Sequence, residues 1–532
     1  MGLPRSRVVA TRRFGVVGTR CFGVVATQRF RVLATLVLMF ALVGARGVVC
    51  AATQFPEPAA LRHQVDFWTK VFGVYSKHQV LIHDNERLDR IYAVLDYRED
   101  AASGMNPVTL ANLRKADIAR EKTRLRGVLK RLAKMGGTKG LTAEERRIRA
   151  LFKGTPTSRQ FAAAAEPGRL RTQSGLLERF REGIRISRRY LPAMEEIFRQ
   201  EGMPLVLTRL PLVESCFDVR AYSKVGAAGI WQFMPATGRR YMRIGGVIDE
   251  RRDPLRATRG AARYLKSNFK MLGTWPLAIT AYNHGEGGVR RAVRETGTTD
   301  IGRIVERYHG PRFGFASRNF YAEFLAAVAV ERDYEAYFGP LTFEAPFKSD
   351  EVRLGSPVAG KVAVASAGTS VDALAALNPA VESSVFRRNR NLPKGYVLRV
   401  PAGTASGFEQ RLAKVPASKR AIAPPRVRTH RVARGQTLSL LARRYGTSVR
   451  SLQRANRLGG TRIRIGQVLK IPTGSRAQPS RTAAARTHRV RRGQTLSQLA
   501  RRYRVSVRDI QRANRLRGTV VRTGQVLKIP AS

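Results

Sequence analysis

Residues 430–472 and 488–530 are identical at 33 of 43 positions, and the second stretch begins 58 residues after the first. This duplication restricts the fold more than any other feature of the chain. A unit this short that recurs at a fixed interval must close a small core of its own or stack on its copy. The joining residues, 473–485, are rich in Ser, Ala and Pro and read as a flexible linker. Within the first copy, the apolar spacing predicts a strand at 430–432, helices at 438–445 and 449–456, and a strand at 468–471, a βααβ module. A fainter version of the pattern occupies 345–402, followed by a Pro/Lys/Arg linker over 403–427.

Charge bounds the partner. The chain has 97 Lys+Arg against 38 Asp+Glu, a net +59, and such a field attracts nucleic acid, anionic lipid or an acidic polymer. The basic helices of the repeat carry Arg443, Arg444, Arg450 and Arg454, matched by Arg501, Arg502, Arg508 and Arg512. A nucleic-acid module would interleave aromatics for stacking, but Tyr445 and Tyr503 fit core positions, so no nucleic acid is expected. Attraction to carboxylates, or plain solvation, is more economical. Cys21, Cys50 and Cys216 make no disulfide framework, and no Cys/His spacing suits a metal, so neither metal nor cofactor is expected. Nothing in the sequence sets an oligomeric state.

Residues 1–31 carry seven arginines, no acid and an eight-residue repeat, and an apolar run of 14 residues, 32–45, precedes small residues at 49–52. This reads as a secretory signal peptide with a basic extension over 1–52, the run being short of the ~20 residues that span a membrane. The expected location is the periplasm or cell envelope, membrane-anchored if Cys50 is lipidated. A helical segment is expected over 53–165, with helical spacing at Val65, Trp68, Val71, Phe72 and Tyr75, and again at Leu88, Ile91, Val94 and Leu95. No chemistry is visible in it.

The chemistry centres on 210–238. An apolar run delivers Glu214 beside Ser215 and Cys216, and a glycine-flanked Trp-Gln segment follows at 229–232. A carboxyl packed among Leu, Val, Phe and Trp loses hydration and holds its proton, as a general acid must. Helix follows helix through 166–340 without a strand pattern. Asp218, Glu286 and His284 are weaker candidates, and Cys216 reads as a small packing residue.

Glu214-Ser215, Gly229-Ile230-Trp231-Gln232, Ala281-Tyr282-Asn283 and Asn319-Phe320-Tyr321 resemble, in order and spacing, the four motifs of the membrane-bound lytic murein transglycosylase D family, over about 173–332. The resemblance implies an all-α, goose-lysozyme-like (Slt) domain at 166–340. It also implies non-hydrolytic cleavage of the MurNAc-β-1,4-GlcNAc bond of peptidoglycan, leaving 1,6-anhydro-MurNAc ends. Glu214 would be the catalytic acid, with Ser215, Gln232, Tyr282, Asn283 and Tyr321 supporting it or holding substrate. Most glycosidases use two carboxyls. Only Glu214 stands out here, and one acid suffices if it protonates the leaving oxygen and then takes the proton of the sugar's own C6 hydroxyl.

The repeats at 428–473 and 487–531, with a linker at 474–486, resemble LysM domains, which bind N-acetylglucosamine chains. The resemblance places glycan contacts on Gly435, Gln436, Thr437, Leu438 and Asn456, and on Gly493, Gln494, Thr495, Leu496 and Asn514. Gln436 and Gln494 replace the family's usual Asp, keeping an acceptor but losing an N-capping charge. The expected class is thus α+β multidomain, a helical catalytic domain followed by βααβ modules, with peptidoglycan strands as partner. A hydrolytic muramidase, a non-catalytic wall-binding scaffold and an anionic-polymer binder are the alternatives.

Overall fold

In a computed structural model of the chain, the described residues are 54–135, 137–422, 427–472, 486–503, 505–514, 516 and 518–529. The expected signal peptide and Cys50 lie outside them. The chain divides into two units at residues 421 and 422.

The first unit is built on two cores that share one sheet. Strands β1 (Gln79–Asp84), β2 (Ile91–Asp96) and β3 (Leu170–Ser174) pair antiparallel in the order β2-β1-β3. This corrects the helical segment expected over 53–165, in which the spacing of Leu88, Ile91, Val94 and Leu95 predicts a helix. The reason is burial on both faces. Leu81, Ile91 and Val94 enter the larger core, while Val80, Ile82, Tyr92 and Leu95 enter a smaller one. A doubly buried strand is a continuous apolar run with no period-2 signal, and periodicity alone cannot separate it from a helix. Helix α2 (Pro107–Lys134) covers the smaller core with Leu125, Val128, Leu129 and Leu132 and leaves its basic face to water.

Helix α1 (Arg62–Gly73) belongs to the larger core, which runs from Leu61 to Val330. The boundary expected near residue 166 therefore cuts through one packed body. Its other principal members are α3 (Leu177–Gln200), α4 (Leu210–Glu214), α5 (Pro254–Leu272), α6 (Trp275–His284), α7 (Glu286–Thr296) and α8 (Phe315–Arg332). Asp253 caps α5 by accepting from the Leu255 and Arg256 N–H groups at 3.1 and 3.0 Å, and Gly273, at φ 78°, closes it. A two-residue hairpin, Ile244–Gly245 with Ile248–Asp249, precedes α5.

Residues 350–414 form a further module within this unit, and its helix Ala405–Lys414, which buries Phe408 in the module's core, corrects the linker expected from 403. Strands Asp350–Arg353 and Val397–Val400 pair antiparallel, with helices Gly360–Ala367 and Val371–Leu377 between them. The Asn378 amide donates to the carbonyls of Leu374 and Arg399 and accepts from the Arg399 N–H. Asn456 and Asn514 make the same three bonds in the two intact repeats. The module is docked: Ile248 joins its core, the Asp249 N–H donates to the Ala380 carbonyl at 2.8 Å, and Arg399 pairs with Asp253 where both are buried.

In the second unit each repeat is one βααβ module. Val427–Arg431 pairs with Val468–Pro472 around helices Leu438–Arg444 and Val449–Asn456; Arg486–Arg489 pairs with Val526–Ile529 around Leu496–Tyr503 and Val507–Asn514. Leu438, Leu441, Leu452, Leu469 and Ile471 fill the first core, worth about 1.5–3 kcal/mol each when fully buried.

Removing one partner of a buried ion pair leaves the other charge unsatisfied. Arg399→Ala is expected to destabilise the docked module by up to about 3 kcal/mol, below the ~3–5 kcal/mol of a fully orphaned charge because Arg256 and two backbone amides remain on Asp253. Limited proteolysis in urea at 345–402 checks this; cleavage unchanged from the parent chain would refute it.

Candidate active site

Glu214 is the last residue of α4, and the backbone beyond it reverses abruptly. Ser215 closes the helix, its N–H donating to the Pro211 carbonyl at 3.0 Å, and Cys216 and Phe217 then both take left-handed conformations, φ 52° and 56°. Each such non-glycine residue costs on the order of 1–3 kcal/mol and persists only where its surroundings over-determine it. Three contacts do so here. Phe217 is wholly buried, and its N–H donates to the Pro211 carbonyl at 3.2 Å. Gly183 of α3 lets the turn approach so closely that a Cβ there would sit 2.8 Å from the Cys216 carbonyl oxygen. The Ser215 hydroxyl donates to the Ile230 carbonyl at 2.9 Å, fastening the turn to the Trp-Gln segment.

That segment forms the opposite wall. Gly229, at φ 74°, packs against Arg251 so tightly that any Cβ would collide with the Arg251 carbonyl oxygen. Arg251 is buried, and its guanidinium donates to the carbonyls of Gly226 and Phe233 at 2.7 and 2.9 Å. The Trp231 indole stacks on Phe198 with planes 9° apart and donates to Thr258 at 2.9 Å. Gln232 adopts φ 45°, and its amide donates to the Gly229 carbonyl at 2.8 Å. From α6, the Tyr282 hydroxyl donates to the Trp231 carbonyl at 2.9 Å.

Between these walls the electrostatics favour a neutral acid. Glu214 keeps some surface open to solvent, yet the protein packed around its carboxyl strips enough hydration to push it up to about 8. A neighbouring carboxyl, Glu323 of α8, adds to the shift. Glu323 is itself pushed up to about 8 by burial. Among the described residues neither carboxyl has an ion pair or a hydrogen-bond partner. Burial, then Glu214, raises Tyr282 well above an ordinary phenol, so its hydroxyl stays neutral. Burial pushes the Cys216 thiol up to about 11, which suits a packing residue and not a nucleophile.

The structure brings Glu214, Ser215, Gln232 and Tyr282 together. Asn283 is exposed at the end of α6 and accepts from Ser317 at 3.2 Å. Tyr321 is elsewhere: its hydroxyl donates to the Pro56 carbonyl at 2.8 Å. This corrects its expected place at the site. Residues two apart on a helix point about 200° from one another, so the face that turns Glu323 towards Glu214 turns Tyr321 away. Asn319 accepts from the Trp68 indole at 3.3 Å and so serves the core. Asp218 is exposed and accepts from the Arg220 N–H, a turn role. Glu323 also corrects the expectation that Glu214 stands alone. Its signal was legible as the sole charge in an otherwise apolar stretch over 319–330. Arg251 had no such signal, being one of two arginines in a charged run.

In the repeats the expected contact residues hold the modules together. Gly435 and Gly493 turn at φ 79° and 82°. Gln436 and Gln494 accept from the N–H groups of Ala433 and Arg491, both at 2.9 Å. The N-cap lies instead on the next residue, Thr437 or Thr495, which corrects the capping role expected one position earlier. Leu438 and Leu496 are buried, and Asn456 and Asn514 bridge helix to strand.

Residues 194–305 match the Transglycosylase SLT domain, and 430–472 and 488–530 match the LysM domain. The membrane-bound lytic murein transglycosylase D of Escherichia coli (strain K12) is 33% identical over 325 residues, covering 59% of this chain and 71% of the relative. The chain belongs to the membrane-bound lytic murein transglycosylase D family. A putative tributyltin chloride resistance protein of Alteromonas sp. (strain M-1) is 38% identical over 96 residues, covering 18% of this chain and 46% of that protein. A probable autolysin, SsaALP, of Staphylococcus aureus is 35% identical over 105 residues, covering 19% of this chain and 40% of its own length.

For this member of the family, Tyr321→Phe is expected to leave turnover of glycan strands within about twofold of the parent and to lower stability by about 1 kcal/mol, the worth of one hydrogen bond. Activity assays with thermal unfolding check this; a large loss of turnover would return Tyr321 to the site.

Proposed function

We propose that this chain is a peptidoglycan lytic transglycosylase in which Glu214 acts as acid and then as base. The observation that carries the reading is a carboxyl raised to about 8 between the α4 turn and the Trp231 wall, with no cation paired to it among the described residues. Glu214 protonates the glycosidic oxygen between MurNAc and GlcNAc. As the carboxylate it then accepts the proton of the C6 hydroxyl, whose oxygen attacks C1 and closes the 1,6-anhydro ring. General acid catalysis by a positioned side chain is worth about 10²–10⁴-fold. Ser215 and Gln232 keep the walls in register, Tyr282 presents a neutral phenol beside the acid, and Asn283 lies exposed where an acetamido group would enter.

The second carboxyl, Glu323, favours one further reading, a hydrolytic muramidase in which it activates water. Mass spectrometry of digested sacculi separates the two: anhydro ends support the transglycosylase, reducing ends the muramidase.

The enzyme acts in the cell envelope, reached through the export signal at 1–52 and held at the membrane if Cys50 is lipidated. Among the described residues no helix is long and apolar enough to cross a membrane. The two LysM modules bind glycan strands and raise the effective concentration of the active site on the polymer. Deleting 428–532 is expected to weaken sacculus binding at least tenfold and to leave turnover of soluble strands unchanged; a pull-down and a soluble-strand assay check the two halves.

Glu214→Gln is expected to abolish muropeptide release with sacculus binding intact. It also has a stability consequence of fixed sign. The fold raises Glu214 above its ordinary 4.5, so it favours the protonated form, and the cost of the charged form is absent below about pH 4.5 and grows as pH rises through 8. The Gln variant should therefore unfold at the parent's temperature at pH 4 and at a higher temperature at pH 8. Calorimetry at the two pH values decides; an equal or lower melting temperature at pH 8 contradicts the buried-acid reading.

A further inference from the structure

We propose that the groove along the N-terminal half of α2 is a second binding site, one for an acidic peptide with small apolar side chains, and that its ligand is the peptide stem of the wall polymer. The identity of the ligand, though not the groove, rests on the chain acting on peptidoglycan.

Helix α2 runs further than the core it covers. Over its second half Leu125, Val128, Leu129 and Leu132 close the smaller core. Towards the N-terminus the stripe continues as two rows at i, i+4 spacing, Pro107-Ala111-Lys115 and Leu110-Arg114-Ile118. These six residues line a groove of about 630 Å³ together with His78, Ala101 and Met105. Leu110 is buried, whereas Ala101, Met105 and Ile118 are covered only in part. Val108, which follows Pro107, is 68% exposed. The apolar stripe thus runs past its own core and is left open, as a surface that takes a partner is.

Two cations stand in this apolar setting. Arg114 turns inwards: its guanidinium lies 5.2 Å from the centre of the Tyr97 ring, and its Nη2 donates to His78 Nδ1 at 2.8 Å. Burial, and then Arg114 itself, lowers His78 from its ordinary value, so the imidazole accepts this bond without bringing a charge. Arg114 Nε is buried with no hydrogen-bond partner among the described residues. Lys115 is exposed at the same groove. No acid is among the described residues that line it. The acids of the surrounding elements are placed elsewhere: Asp96 pairs with Arg98, Asp117 with Arg120 and Glu121 with Arg124, and Glu178 accepts from the Ser76 hydroxyl and the Lys77 N–H. Glu99 and Asp100 occupy the first turn of the short helix Arg98–Ala102.

A cation with an unmet donor in an apolar groove calls for a carboxylate on an apolar body. A nucleic acid would want exposed rings to stack on, and Tyr97, beneath Arg114, is buried. The sugars of a wall strand are neutral, and its carboxylates are carried on peptide stems built largely from small residues. The stems therefore supply the charge that the groove lacks. Engaging one would hold a strand by its peptide while the cleft takes its sugars, and would favour strands that still carry stems over stripped ones.

The probe is a soluble stem tetrapeptide with free carboxyls, titrated calorimetrically into the full chain beside its carboxyl-amidated form. The free acid should bind, and amidation, R114Q and K115E should each weaken binding at least about tenfold, the loss of one charge-assisted contact. Equal affinity for the two peptides, or affinity unchanged in both variants, overturns the proposal. Lys115 is exposed, so K115E decides alone if R114Q does not fold. Sedimentation of the parent chain and K115E tests the rival occupant: a dimer that K115E dissociates gives the groove to a second copy and overturns the proposal. A parent chain that binds the peptide as expected yet releases no muropeptide supports the groove and removes the transglycosylase reading instead.

Discussion

An acid kept neutral inside a protein of net charge +59 requires that every nearby guanidinium be turned to another partner. Arg209 is occupied by Glu195 and Glu331, Arg179 by the Ser215 carbonyl, and Arg251 by Asp249 and two carbonyls. Each of these bonds stabilises a turn or a helix end in its own right. Together they leave a gap in the positive field at the one place where a proton has to be held. A single free arginine beside Glu214 would draw its carboxyl back towards the ordinary range and remove the acid.

The same region concentrates backbone strain. Cys216, Phe217 and Gln232 are three of the five non-glycine residues in the left-handed region among those described, and they stand just after Glu214 and Trp231. Strain of this kind persists because neighbours over-determine it: Gly183 by allowing close approach, Ser215 by bonding across to Ile230, Gly229 by fitting under Arg251. A desolvated carboxyl on a strained turn is a poor choice for stability and a good one for an acid that must face substrate in a fixed orientation, the usual conflict between stability and activity.

What the sequence showed and what it hid follow from this physics. The βααβ modules were legible because half-buried short elements keep their period and because the duplication marks their limits. Glu214 was legible because an acid inside an apolar run is rare. The strands of 79–96 were hidden because two cores bury both their faces, which removes the alternation that identifies a strand. Glu323 carries the same kind of signal as the sole charge of 319–330, whereas the motif resemblance points to Tyr321, two positions earlier on the opposite face. Helical phase decides which of the two meets Glu214, and phase is fixed by what α8 packs on, Trp68 of α1 on one side and Arg209 with Glu331 on another. Those contacts span more than a hundred residues of sequence and leave no local trace.

The docked module extends the same reasoning outwards. Its Arg399 is buried against Asp253, and Asp253 is the cap of α5. Five residues into that helix, Thr258 receives the Trp231 indole, and the Trp231 carbonyl receives Tyr282. The docked module thus fixes the start of the helix against which one wall of the active site rests. The two repeats close their cores with their own side chains, whereas the docked module takes Ile248 from the hairpin before α5 and offers Arg399 in return. Residues at such an interface answer to two partners at once. Asn378 holds the module's own fold with the three bonds that Asn456 and Asn514 make in the repeats, while Arg399 faces the helix on which the module docks.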